Sequence, residues 1–206
     1  MSSTGLWIFV AALVAVYLLP GPDMAMVIST SAIGGSRNGL FVALGLALSR
    51  TTHVTLSAIG FAAAFRTHPI LFDIVRWFGA AYFVWIGVKI LESGKDKSPE
   101  AKIEAHAGVQ AVRRGFLTNM LNPKALMFCA LLLPQFISTQ ESLFAQYLLL
   151  GSILVGIGFF FDVTYALVAC RFAQWSAKSS TIQKLAKLLF SGIFIISAVR
   201  LAIAGL

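Results

Sequence analysis

Apolar residues in this chain come in long runs separated by short polar clusters. Six runs stand out, at about 6–33, 40–65, 70–91, 116–137, 144–170 and 185–204. Each is near or above the roughly 20 residues that carry an α-helix across hydrocarbon. The fifth is long enough to tilt. The pattern predicts an all-α, polytopic membrane protein of six transmembrane helices, a bundle whose solvent is lipid. The first run lacks the positive leader of a secretory signal and continues past its prolines, so it reads as a retained helix.

The runs divide three and three around the charged stretch 92–114. Short echoes link the halves. GPDMAMV in run 1 matches NPKALMF in run 4, aligning Pro22 with Pro123 and Asp23 with Lys124. HVTLSAIG in run 2 matches DVTYALVA in run 5, aligning His53 with Asp162. GVKIL in run 3 matches AVRLA in run 6, aligning Lys89 with Arg200. The echoes keep one order, at offsets of 101, 109 and 111. Three helices is an odd number, so the second copy enters from the opposite side. The expectation is one transporter domain over 1–206: repeat one at about 6–91, a cytoplasmic loop at about 92–114 and an inverted repeat two at about 115–205. Secondary transporters are built this way, with substrate held near the midplane by broken helices.

Composition agrees and charge adds an orientation. The chain is 58% hydrophobic and 12% charged, about half the charged share of a soluble domain. Of sixteen Lys and Arg, eleven fall at connections 1–2, 3–4 and 5–6, two at connection 2–3, none at 4–5 and three within runs. Basic residues mark the cytoplasmic side, which sets both termini outside the cytoplasm. The net charge of +8 does not form a nucleic-acid surface, because the 95–102 segment mixes acids among its lysines and offers no base-reading residues. Cys129 and Cys170 have no ligand-like spacing, so no disulfide framework and no metal are expected. No Walker A motif is present in the sequence.

The sharpest local signal is YLLPGPDMAMV, residues 17–27, which sets a helix breaker and an acid in mid-crossing. Pro20 and Pro22 each remove a donor and clash with the preceding turn, and Gly21 supplies backbone freedom. Carbonyls one turn earlier lose their partners, which is tolerated only against protein or a wet cavity. A second half-helix is expected from about Asp23, which is placed to cap it, and its N-terminus makes an anion site. LNPKA in run 4 repeats the design: Asn122 can cap and Pro123 suits the first helical turn. An ordinary proline kink is the plainer reading of each break alone.

Asp23, Arg50, Lys124 and Asp162 lie well inside runs, where a charge facing lipid is costly, so each is expected to face the interior. Asp23 with Lys124 is the preferred pair, from their equivalent repeat positions, and Arg50 competes for either acid. Ser49, His53 and Ser57 recur every four residues on one face. His53 is either a proton relay, its free pKa lying near neutrality, or a hydrogen-bonded interior histidine.

The PGPD break, the GLFVALG run at 39–45 and FLTNMLNPKALMF in run 4 resemble the LysE/RhtB family of amino-acid export permeases, along nearly the whole chain. The resemblance implies a bacterial inner-membrane carrier that exports amino acids or related metabolites on the proton gradient. It places the family elements on Pro20, Gly21, Pro22, Asp23, Asn122, Pro123 and Lys124. The resulting expectation is a secondary exporter of a small zwitterion, a neutral amino acid or derivative, and not an enzyme. Its half-helix N-termini with Arg50 or Lys124 serve the carboxylate, and Asp23 or Asp162 the ammonium or coupling proton. Expected partners are substrate, protons and the bilayer, with a homo-oligomer left open and no nucleic acid or cofactor. The rivals are a passive channel or scaffold, and an intramembrane enzyme built on His53 and an acid.

Overall fold

The computed structural model describes residues 3–60, 69–92, 107–138, 140–176 and 180–203. All regular structure among them is helical: α1 (Ser3–Leu18), α2 (Pro22–Ala58), α3 (Pro69–Glu92), α4 (Ala107–Met120), α5 (Pro123–Met127), α6 (Leu143–Ser176) and α7 (Ser180–Ile203). A π-helical turn at Phe128–Leu132 and a 3-10 turn at Leu133–Phe136 prolong α5. Among the described residues, two helices are by length and composition apolar enough to cross a membrane, α2 and Leu143–Ala173 of α6. Gly108–Met120 and Pro123–Phe136, bent by 58° at the second break, make a third span if taken together. Thr4–Leu18 and Leu188–Ile203 are shorter apolar helices. Large apolar side chains cover the outside, among them Trp7 at 72% and Phe144 at 78% exposure, as suits a surface solvated by lipid.

α2 is not one rod. Gly35 sits inside it at φ 81, ψ 167, a backbone that glycine alone adopts freely. Asp23 and Arg50 would stand roughly 40 Å apart on a straight helix, from the rise of 1.5 Å per residue. Their side chains are 3.9 Å apart. The chain therefore reverses at Gly35, and α2 is a hairpin of two antiparallel arms, residues 22–34 and 36–58. A Cβ on Gly39 would overlap Ser31 Oγ of the facing arm, so the arms pack closely near their turn. This is the expected boundary between runs 1 and 2, reduced to one residue.

Other boundaries move. Run 2 ends as helix at Ala58, before Gly60 at φ 80, and its expected end at 65 lies outside the described residues. Helix α4 begins at Ala107, nine residues before the expected start of run 4, inside the stretch read as a cytoplasmic loop. Residues 93–106 of that stretch lie outside the described residues. Helix α6 runs on to Ser176, beyond 170.

Two apolar clusters form the core. One joins Val42 and Leu46 of α2, Phe83 of α3, Ala166 of α6 and Phe194 of α7. The other joins Phe9 and Leu13 of α1, Val54 of α2, Leu133, and Leu150 and Leu154 of α6. Along α2, Arg50 falls between the clusters, and along α6, Asp162 does. The charges thus occupy a polar layer between two dry ones. Helices approach closely beside it: a Cβ on Gly45 of α2 would overlap the Val112 carbonyl of α4, and one on Gly115 of α4 would overlap the Val42 carbonyl of α2.

Candidate functional site

Both breaks form. Helix α1 stops at Leu18, and α2 starts with Pro22 in its first turn after an extended Gly21. Helix α4 stops at Met120, and α5 starts with Pro123 in its first turn after an extended Asn122. The Asn122 side chain accepts from Lys124 N at 3.0 Å, the expected cap, worth about 1 kcal/mol. Asp23 does not cap its own half-helix; Gly21 stands at the N-cap with no side-chain bond there. Its carboxylate instead accepts from Asn119 Nδ2 at 2.6 Å and Asn122 Nδ2 at 3.0 Å. One asparagine therefore caps the second break and holds the acid of the first.

The preferred ion pair is corrected. Lys124 does not bond Asp23; its ammonium donates to the Val16 carbonyl at 3.1 Å and the Leu19 carbonyl at 3.3 Å. The Val16 carbonyl, in the last turn of α1, loses its donor to Pro20, and the Leu19 carbonyl lies just past the helix end; a cation at a helix C-terminus also meets the favourable end of the helix dipole. A Cβ on Gly21 would come within 3.3 Å of Lys124 Nζ, so the glycine clears the ammonium's approach. Arg50 is the partner of both acids. Its Nη1 donates to Asp162 Oδ2 and its Nη2 to Asp162 Oδ1 at 3.3 Å. Nη2 also lies 3.9 Å from Asp23 Oδ2. The guanidinium stands 5.0 Å over the Tyr17 ring, a cation–π contact that lysine makes less well. Arg50 and Asp162 are each 2% exposed, and the two acids balance the two cations.

These groups surround one cavity of about 40 Å³ lined by Tyr17, Asp23, Arg50, Lys124, Asp162 and Tyr165, among others. It holds a water or two but not an amino acid. Pro20, Gly21, Pro22, Asn122 and Pro123 shape the backbone at its edge. His53 lies one turn past Arg50, buried, with neither ring nitrogen in a hydrogen bond; the Met120 carbonyl stands beside it. Ser49 on the same stripe is also without a partner, while Ser57 donates to the Cys129 carbonyl at 2.6 Å. A larger cleft of about 450 Å³ lies between the first arm of α2 and helices α3 and α4, bordered by Met26, Thr30, Asn38, Trp85, Lys89 and Arg114.

Sequence reasoning missed Asn119, Tyr17 and Tyr165. Tyr17 donates to the Leu154 carbonyl at 3.0 Å, and Tyr165 to the Tyr17 carbonyl at 2.9 Å. Asn119 could have been found, because it is a second amide three residues before the capping Asn122, in the last turn before the break. The tyrosines carry no such signal among so many aromatics.

No solved structure matches the chain. It is 29% identical over 187 residues to the homoserine/homoserine lactone efflux protein of Salmonella typhi, covering 91% of this chain and 90% of that one. It is 31% identical over 205 residues to the leucine efflux protein of Enterobacter sp. (strain 638), covering 95% and 94%, and 30% identical over 190 residues to an uncharacterized membrane protein of Vibrio cholerae, covering 91% of each. The family model described as LysE type translocator matches residues 14–205. With both helix breaks and their charges inside the matched region, the chain belongs to the LysE type translocator family and is a transporter, not an enzyme.

Proposed function

We propose that the chain is a secondary exporter that moves neutral amino acids or their derivatives out across the bacterial inner membrane, driven by the proton gradient. The observation that carries this reading is the pair of matched helix breaks meeting at a buried, charge-balanced cavity. Broken half-helices at the midplane are the binding element of secondary carriers. The relatives named for homoserine and leucine efflux supply the neutral amino-acid class.

Six spans in two inverted repeats account for the matched breaks, with both termini extracytoplasmic and the basic connections inside. In that orientation the 450 Å³ cleft, bordered by Asn38, Lys89 and Arg114, opens toward the cytoplasm, as an exporter's entrance should. Coupling follows from the Arg50 network. A proton reaching Asp162 or Asp23 removes one of the two charges that hold the guanidinium, and His53 lies on the same arm to pass it. Two-state control of that bridge is what antiport needs.

The test uses inside-out vesicles from cells producing the full chain. Labelled L-leucine and L-homoserine should accumulate when the interior is acidified, and a protonophore should abolish the accumulation. Uptake of neither, or uptake indifferent to the proton gradient, would reject the reading. Counterflow separates carrier from channel, since a channel does not accumulate label against a gradient.

A further inference from the structure

We propose that substrate binds by taking over the seat of the Lys124 ammonium: the substrate's α-ammonium goes to the Val16 and Leu19 carbonyls, and its acyl oxygens take Lys124. The ligand class is an α-ammonium carbonyl compound, an α-amino acid or its ester or lactone. This rests on the transport reading and adds the two subsites.

The acids at the site are already committed. Asp162 is held at both oxygens by Arg50, and Asp23 by Asn119 and Asn122. Taking an ammonium there means breaking charge-assisted bonds in a buried layer, where an abandoned charge is costly. The Val16 and Leu19 carbonyls differ. They are strong acceptors at the end of a helix, they border the cavity, and their donor is a flexible side chain. Exchanging one ammonium for another leaves the carbonyls as well satisfied as before.

Lys124 completes the exchange. An ammonium has three donors, and two of them engage Val16 and Leu19. Displaced from the carbonyls, Nζ needs acceptors close by, and a substrate arriving ammonium-first presents its acyl oxygens one or two bonds behind. The interaction is charge-assisted with either acceptor, strongest for a carboxylate, where both partners are ionised, and weaker for an ester or lactone carbonyl. The 40 Å³ cavity is too small for substrate while Lys124 occupies the seat. Withdrawal of its side chain past Gly21, where no side chain stands in the way, makes room. The resting protein is thus occupied by a tethered stand-in for its own substrate.

The experiment measures inhibition of L-leucine uptake in the inside-out vesicles by four compounds: unlabelled L-leucine, its methyl ester, N-acetyl-L-leucine and isoamylamine, which is leucine without its carboxylate. On the unaltered protein, N-acetyl-L-leucine and isoamylamine should each bind weaker than leucine by roughly tenfold or more, the value of one bond to a charged group. The ester should fall between. In Lys124→Ala the order should invert: leucine weakens by about tenfold or more, and isoamylamine gains by about as much because the carbonyls stand open to it. Equal inhibition by leucine and N-acetyl-L-leucine on the unaltered protein overturns the ammonium seat, whether or not the variant inserts. Unchanged leucine affinity in an inserted Lys124→Ala, or no gain for isoamylamine there, overturns the exchange. If the unaltered protein takes up neither leucine nor homoserine, the transport reading falls, and this falls with it.

Discussion

Arg50 and Asp162 meet as a two-point ion pair between the second arm of α2 and the middle of α6, 112 positions apart in the chain. Gly158, one turn before Asp162, is what admits Arg50 to that place. A Cβ there would come within 2.8 Å of Arg50 Nη1 and 2.6 Å of Tyr17 Oη. Pair, ring and glycine therefore form one unit in which a change to any member is felt by the others.

The pair should be strongly coupled. Asp162→Leu leaves Arg50 buried with Asp23 as its nearest remaining acid and should cost about 3–5 kcal/mol. Arg50→Met combined with Asp162→Leu should recover most of that while transport stays lost. Thermal melts in detergent, run as a double-mutant cycle, check this. Additive losses would mean the two residues act separately.

Glycine substitutions should separate by location. Gly158→Ala should lower efflux several-fold, and Gly45→Ala should destabilise the α2–α4 packing by about 1–3 kcal/mol, because its methyl would run into backbone. Gly156→Ala has open space at its Cβ and should be neutral or stabilising by up to about 1 kcal/mol. Melting temperature and efflux on the same three variants decide it, and a Gly156→Ala as harmful as Gly45→Ala would refute the packing account.

Straightening either break should stop transport without stopping insertion. Pro22→Ala and Pro123→Ala each restore a backbone donor and allow a more continuous helix. Efflux at equal membrane abundance is the readout, and unchanged rates in both variants would reduce the breaks to ordinary kinks.

Orientation is checked with single cysteines in a background lacking Cys129 and Cys170. Thr30→Cys in the large cleft should react with an impermeant thiol reagent from the cytoplasmic side only. Gln140→Cys, in the connection before α6, should react from outside only. The reverse pattern would invert the topology.

The apolar runs and the breaks were legible because each rests on local chemistry: run length, proline, glycine and a capping asparagine. The hairpin boundary at Gly35 was legible as a gap between runs, but its tightness was not, since only a packed partner such as Ser31 against Gly39 reveals it. The early start of α4 was hidden by its own composition. Its first turns carry Gln110, Arg113 and Arg114 and so resemble the loop before them. The ion pairing failed for a different reason. The expected repeat aligned Asp23 with Lys124, yet a sequence alignment does not say which acceptor a long side chain prefers. The Val16 carbonyl, which loses its donor to Pro20, and the Leu19 carbonyl beside it were the stronger claim on Lys124.

The reversal at Gly35 also limits how the protein can move. A one-residue turn with Ser31 seated against Gly39 leaves no slack between the two arms of α2, so they travel as one lever. Opening the site to one side and then the other must be absorbed at Leu19–Gly21 and at Leu121–Asn122, where the helical ladders are already interrupted. In the proposed transport cycle the joints then coincide with the groups proposed to hold the cargo, and each stroke of the lever changes the grip. A cross-link that fastens one arm to the other should leave efflux running, whereas one that spans either interruption should arrest it.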